Sequence, residues 1–198
     1  MFWFEPPSQL ISWDYKVENV LDDTHIKFIE DYVANNSAQL CKAEVRTGSD
    51  VPYDDDYRRS DVFFFTDYQS TGPLYRKIYE IVSEVNMHHF KYSICYTEPL
   101  QYSVYKEEVK GFYDIHCDSH LRNTSGFVRK ISFSILLNDP SEFEGGQLML
   151  NTEREPVEMQ MNKGDIVLFP SFVPHSVAPV TKGVRRSLVG WICGPNFV

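Results

Sequence analysis

From about residue 91 onward the chain is written as short β-branched and aromatic runs separated by turn residues, and this rhythm limits the possible folds more than any other feature. Strands are expected near 91–97, 100–106, 112–116, 130–137, 147–150, 157–160, 165–169, 174–179 and 184–192. The turns are explicit at Asn138-Asp139-Pro140, Glu144-Gly145-Gly146 and Asn162-Lys163-Gly164-Asp165. Regular short strands with such punctuation read as a β-sandwich or barrel.

The first half has a different texture. Leu21-Asp22-Asp23-Thr24 reads as a helix start, with Asp22 or Asp23 able to cap exposed N–H groups. Ile26, Ile29, Tyr32 and Val33 then share one helical face, and Asn35-Asn36-Ser37 ends the element. A second helix is expected from Thr71-Gly72-Pro73, with Pro73 in its first turn, to His88-His89-Phe90. Its buried stripe is Leu74, Ile78, Ile81, Val82 and Val85. Residues 46–60, with Gly48, Pro52 and Asp54-Asp55-Asp56, read as an exposed loop without the spacing of a calcium loop. Val62 to Thr66 is a short β-prone run, and Phe2, Trp3 and Phe4 are expected to pack on the domain edge. No repeat and no linker divides the chain. One domain over 1–198 is expected, mainly β with flanking α, with residues 1–90 as a helical support packed on one sheet of a β core at 91–198.

Composition excludes several function classes. The 198 residues carry a formal charge of -9, so a non-specific binder of phosphate backbones is not expected. Two basic clusters, Arg122/Arg129/Lys130 and Lys182/Arg185/Arg186, are placed to guide an anionic small molecule or an acidic substrate. Cys41, Cys95, Cys117 and Cys193 form no Cys-x-x-Cys pair, which reads as reduced thiols. With no leader pattern at Met1–Leu10 and no apolar run of membrane-spanning length, a soluble cytoplasmic chain without a membrane partner is expected.

The chemistry concentrates in a few residues. His116-Cys117-Asp118 with the distant His175 supplies two imidazoles and one carboxylate, the set that holds non-haem Fe(II) on one face and leaves positions open. Residues two apart on a strand point to one side, so His116 and Asp118 would converge while Cys117 turns away. A surface histidine beside a turn aspartate would read the same way. His175, in Phe169-Pro170-Ser171-Phe172-Val173-Pro174-His175, must be hydrogen-bonded or metal-bound if buried, and a satisfied core histidine fits as well. Ten positions on, Arg185 shares a strand face with Ser187, Val189 and Trp191, while Arg186 falls on the other face and reads as solvated. A buried guanidinium needs an anion, either a ligand carboxylate or an internal Asp or Glu. His120 offers a second imidazole after Asp118, His88 and His89 close a helix, and His25 reads as exposed.

The ordered series of motifs resembles the Fe(II)/2-oxoglutarate-dependent dioxygenases, in the prolyl 4-hydroxylase-like, PKHD-type branch. The matching text runs from Gln101-Tyr102-Ser103-Val104-Tyr105 through Gly111-Phe112-Tyr113-Asp114-Ile115-His116-Cys117-Asp118 and Arg129–Pro140. It continues in Glu144-Gly145-Gly146-Gln147-Leu148, Lys163–Pro170 and His175–Arg185, so it covers nearly half the chain.

The resemblance implies a double-stranded β-helix, a cupin-like jelly-roll. It implies His116, Asp118 and His175 as iron ligands, Arg185 for the distal carboxylate of 2-oxoglutarate, and Tyr105 as a second co-substrate contact. Tyr113 and Trp191 match pocket aromatics, and His120 would face the substrate entrance. Where relatives carry a hydroxyl before the Asn-Asp turn this chain has Leu136, so Ser187 is the expected hydroxyl partner, ahead of Ser132 and Ser134. Collagen-type enzymes have Lys in place of Arg185. The implied reaction uses Fe(II), 2-oxoglutarate and O2, with ascorbate as a further cofactor. It releases succinate and CO2 and hydroxylates a C–H bond, first of all on a prolyl residue of a protein or peptide. A free amino acid or small metabolite is the alternative substrate, and a non-catalytic cupin-like metal-binding domain the alternative of another class.

Overall fold

The computed structural model describes residues 13–44, 54–119, 124, 126–152 and 154–197. His120, Arg122, Phe2, Trp3, Phe4 and residues 46–53 of the expected loop lie outside the described residues. In chain order the elements are β1 (Tyr15–Val17), α1 (Asp23–Asn35), β2 (Cys41–Lys42), β3 (Arg58–Arg59), β4 (Asp61–Phe65), α2 (Tyr68–Val85), β5 (Tyr96–Thr97), β6 (Leu100–Lys106) and β7 (Phe112–His116). They continue with β8 (Phe127–Leu136), β9 (Phe143–Gly145), β10 (Leu148–Leu150), β11 (Val157–Glu158), β12 (Ile166–Pro170), β13 (His175–Val177) and β14 (Val180–Pro195).

Among the described residues the strands form two sheets. The larger runs β1-β12-β8-β14-β6-β4-β2, with β5 and β9 also paired to β14. The smaller runs β11-β10-β13-β7-β3. All pairings are antiparallel.

The large sheet has an apolar face and a polar face, and both are buried. Ile131, Phe133, Ile135, Leu188 and Ile192 join Ile26, Ile29 and Val33 of α1 and Leu74, Ile78, Val82 and Val85 of α2 in the main core. The helices therefore pack on one side of that sheet, as the periodicity of their apolar residues predicts. The alternate residues on the opposite face are Gln101, Ser103, Ser132, Ser134, Arg185 and Ser187, each nearly inaccessible to solvent. Buried polar residues in this number demand partners or a ligand space: Gln101, Ser134, Arg185 and Ser187 line a cavity between the sheets, while Ser103 and Ser132 bond to neighbouring side chains. No helix among the described residues is long and apolar enough to cross a membrane.

Several local expectations change. Helix α2 starts at Tyr68 because Asp67 accepts from the N–H groups of Gln69 and Ser70, which puts Pro73 inside the helix rather than at its first turn. The strand expected at 91–97 shrinks to Tyr96–Thr97. Before it, a π-turn at Asn86–Phe90 ends in Lys91 at φ 57°, and the Asn86 side chain both donates to Tyr92 O (3.0 Å) and accepts from Tyr92 N (2.9 Å). Part of the presumed loop at 46–60 is strand β3, paired to β7. Arg186 is not simply solvated: it reaches Glu30 of α1 at 3.2 Å and Glu142 at 3.1 Å. His25 is held by Asp22, Nδ1 to Oδ1 2.6 Å.

Candidate metal centre and pocket

His116 and His175 face each other across the small sheet. They are direct partners in the β7–β13 pairing, with their ring centres 4.2 Å apart. A register shift lies between His175 and Val177, the residue opposite Tyr113. Such an irregularity re-aims side chains, and here Tyr113 lies flat on His116 although the two are an odd number of residues apart.

Asp118 reaches the same point by a different route. Strand β7 ends at His116, so strand alternation does not place Asp118, contrary to the reading from spacing. The carboxylate is held from the large sheet: Ser132 Oγ donates to Asp118 Oδ2 at 2.6 Å. Ser132 Oγ also lies 2.9 Å from Ser171 Oγ. Because the one Ser132 proton goes to the carboxylate, Ser171 must donate to Ser132. Cys117 is exposed, as expected, although it too lies beyond the end of the strand.

The ligand atoms of His116, Asp118 and His175 lie within 4.8 Å of one another. His116 Nε2 is 3.7 Å from Asp118 Oδ1, and His175 Nε2 is 3.4 Å from Oδ2. Each imidazole uses its other nitrogen on a backbone carbonyl, His116 on Asp114 O (2.8 Å) and His175 on Val173 O (2.9 Å). A carbonyl only accepts, so both Nδ1 atoms carry hydrogen, which leaves the two Nε2 atoms, turned toward the carboxylate, as the nitrogens that can ligate. Two imidazole lone pairs and a carboxylate on one side of a cavity form a set that fits Fe(II).

Electrostatics follow from burial and proximity. Burial pushes the His116 imidazolium down to about 4, with the neighbouring His175 acting the same way. For His175, burial works downward, but Asp118 beside it wins and raises the value. Burial of Asp118 opposes ionisation, yet His175, His116 and the Ser132 hydroxyl together hold its carboxyl far below the ordinary range.

The cluster opens into a cavity of about 820 Å³ that also receives Arg185, Ser187, Val189 and Trp191 from β14 and Tyr105 from β6. Alternation along one strand thus puts the four β14 residues on one wall, as read from sequence. Arg185 is 2% exposed. It donates to Ser187 Oγ at 3.1 Å and lies 5.5 Å from the Tyr105 ring centre, and among the described residues it makes no ion pair. Desolvation lowers its affinity for the proton. Its stem lies against Gly146, where an added Cβ would come within 2.9 Å of Arg185 Cδ. Leu136, opposite Ser187 in the β8–β14 pairing, offers no hydroxyl, so Ser187 is the hydroxyl beside Arg185. Ser132 serves Asp118 instead, and Ser134 lines the cavity.

Further groups also line it: Arg129, from one of the basic clusters read in the sequence, and Glu98 and Arg58, which sequence reasoning missed. A bulge in β8 opposite Ile192 and Cys193 turns Arg129 off the face of Ile131 and into the cavity. There Arg129 grips Glu98 through Nε (2.9 Å) and Nη2, stacks 4.0 Å over Trp191 and comes within 3.9 Å of Asp118. Trp191 Nε1 is buried without a partner among the described residues. Arg58 of β3 lies 4.3 Å over the Tyr113 ring. Glu98 and Arg58 had no motif to mark them, because their place comes from pairing between distant segments.

Comparison with known proteins bears out the resemblance. Residues 100–193 match the 2OG-Fe(II) oxygenase superfamily. A PKHD-type hydroxylase of Prochlorococcus marinus is 39% identical over 80 residues, which is 40% of this chain and 35% of that protein. One from Synechococcus sp. is 31% identical over 121 residues, 60% of this chain and 54% of that protein. These matches therefore cover about a third to a half of the length of the curated relatives. A Pseudomonas putida prolyl-4-hydroxylase superposes with a TM-score of 0.70 at 18% identity over 94% of both chains. A Trichoplax adhaerens prolyl hydroxylase, solved with a hypoxia inducible factor peptide fragment, gives 0.73 at 19% identity over 91% of this chain and 83% of that one. The fold is the jelly-roll of these oxygenases.

Proposed function

We propose that this chain, whose residues 100–193 carry a 2OG-Fe(II) oxygenase domain, hydroxylates a C–H bond of a prolyl residue in a protein or peptide and releases succinate and CO2. The observation that carries the proposal is the pairing of two geometries in one cavity. Two imidazole Nε2 atoms and a carboxylate converge at one point, and a buried guanidinium without a counter-ion among the described residues lines the same space.

In this reading His116, Asp118 and His175 hold Fe(II), and Arg185 with Ser187 and Tyr105 takes the distal carboxylate of 2-oxoglutarate. Bound iron and the 2-oxo acid supply the oxidising chemistry. The chain's own work is placement. The Nδ1 bonds to Asp114 and Val173 hold the imidazoles in the ligating tautomer. Ser132 fixes one oxygen of Asp118 and leaves the other toward His116. Arg185 supplies a planar fork for a carboxylate. Tyr113 and Trp191 wall the cavity, which limits water around the reacting carbon. A metal held only for structure would use four protein ligands. Three are found among the described residues, which favours catalysis over a non-catalytic cupin-like role.

The preference for a prolyl peptide rests on the solved relatives, one of them carrying a peptide. A free amino acid or small metabolite is the alternative. The deciding experiment measures succinate from 2-oxoglutarate in Fe(II)-reconstituted protein under air, with and without proline-containing peptides. Peptide-stimulated succinate with a mass gain of one oxygen on the peptide is the expected result. Absence of succinate from protein shown to hold Fe(II) would sink the proposal.

A further inference from the structure

The cavity holds a buried cation that the co-substrate does not use. Among the described residues four cations line it, Lys42, Arg58, Arg129 and Arg185, together with Glu44, Glu98 and Asp118. Lys42 pairs with Asp55 at 2.5 Å, and Arg129 is gripped by Glu98. Arg185 is spoken for in the proposed function. Arg58 remains. It is 7% exposed, Nε donates to Ser60 Oγ at 2.8 Å, and among the described residues no carboxylate lies within ion-pair distance of it. Its sequence neighbour Arg59 points elsewhere, to Asp55 O, Val109 O and Asp56.

Burying a guanidinium with its terminal nitrogens unmatched is costly, and the usual resolution is an anion with two oxygens in the guanidinium plane. On the proposed reading a divalent metal, Asp118, the two carboxylates of 2-oxoglutarate and Arg185 sum to zero charge. Arg58 stands outside that balance, one ring contact from the metal cluster, since Tyr113 stacks at 3.6 Å on His116 and the Arg58 guanidinium lies over the same Tyr113 ring; Glu44, the remaining carboxylate of the cavity lining, is exposed and forms no ion pair with it among the described residues. The Tyr113 contact holds the guanidinium plane, and the Ser60 bond fixes its Nε edge, so the two terminal nitrogens are left for a ligand. Trp191 Nε1 adds a second unmatched donor on the opposite wall.

We infer that Arg58 is a substrate anchor and that the substrate bears a carboxylate close to the carbon that is hydroxylated. This inference rests on the proposed oxygenase reading for the reaction but not for the anion site itself. The carboxylate has two sources, the α-carboxylate of a free imino acid or an acidic side chain flanking the prolyl residue of a peptide.

The test is calorimetric binding to the full chain loaded with Mn(II) and 2-oxoglutarate without oxygen. Two matched pairs are compared: L-proline against L-prolinamide, and capped Glu-Pro-Glu against capped Gln-Pro-Gln. The expected result is that in one pair the carboxylate member binds about tenfold tighter or more, and that R58M brings the two members level. The pair that discriminates identifies the source. R58Q replaces R58M if thermal melting shows that the latter is unfolded. Equal binding within both pairs, no binding of any member, or a preference that survives loss of Arg58 would overturn the inference. If aerobic Fe(II) protein makes no succinate while the Arg58-dependent preference holds, the oxygenase reading falls and the anion site stands.

Discussion

Tyr113 lies flat against His116, ring centres 3.6 Å apart and planes 18° apart, so one candidate ligand is braced by an aromatic ring from three residues back on its own strand. Burial also pushes the Tyr113 phenol up to about 12, so the ring stays neutral over the working pH range. Removing the ring in Tyr113→Ala frees His116 to rotate about its remaining bond to Asp114. Metal affinity should fall by about tenfold or more, while Tyr113→Phe should retain it. Titration of the apo protein with Mn(II) reads the difference, and equal affinity in the alanine variant would remove the bracing role.

Ser132 is the next support. Ser132→Ala removes the donor to Asp118 Oδ2 and leaves Ser171 Oγ without its acceptor. Loss of such a supporting bond typically weakens metal binding by about 10–100-fold. Ser132→Thr keeps the hydroxyl and should restore most of the affinity. A Co(II) absorption spectrum identical in the alanine variant and the parent would contradict this.

Arg185 makes a two-sided prediction. Its buried charge has no counter-ion among the described residues, so Arg185→Met should leave the ligand-free protein at least as stable as the parent, because burying an uncompensated charge is unfavourable. The same variant should lose the stabilisation that 2-oxoglutarate confers on the parent in the presence of Mn(II). Two melting curves per protein, with and without 2-oxoglutarate, suffice. A variant that still responds to 2-oxoglutarate would remove Arg185 from the co-substrate site.

Gly190 sets the thickness of the large sheet on its helix side. An added Cβ would lie 2.4 Å from Phe133 Cζ and 2.9 Å from Leu100 Cδ2, both in the main core. Gly190→Ala should therefore cost about 1–3 kcal/mol through overpacking, visible as a lower denaturation midpoint. An unchanged midpoint would mean that Phe133 has room to move.

Glu98 gives a pH signature. Burial works to raise its value, but the hydrogen bonds and charge of Arg129 outweigh burial and the net shift is downward. A carboxylate depressed in the folded state contributes stability above its unfolded value, about 4.3. That stability is lost as pH falls through the lower folded value. The parent should lose more stability than Glu98→Gln between about pH 5 and pH 3. Parallel stability curves over that window would refute the assignment.

The sequence exposed what depends on local pattern. Strands β6 and β7 fall where alternation and turns put them, and the apolar stripes of α1 and α2 face the large sheet as periodicity requires. The short strands β1, β2, β3 and β9 were invisible: β10, β11 and β13 are as short but lie in β-prone runs between turn residues, whereas these four have their state decided by a partner far along the chain. The candidate site divides the same way. His116, Asp118, His175 and the β14 wall were legible from spacing, although Asp118 is held by Ser132 and not by strand alternation. Ser171, Glu98 and Arg58 were not, since each meets its partners only when distant segments fold together.

Strand β14 runs unbroken for 16 residues and pairs with β8 on one side and β6 on the other, so Arg185, Ser187, Val189 and Trp191 are spaced by the pitch of a single strand. The metal cluster hangs instead from a strand end, the bend that follows it and the first residue of another short strand. Deuterium should therefore enter the two halves of the pocket at different rates, with the β14 amides exchanging last. Such a molecule has a fixed gauge along one wall and an adjustable jaw on the other. Changes in the segments around β3 and β7 can retune what the jaw accepts without resetting the gauge.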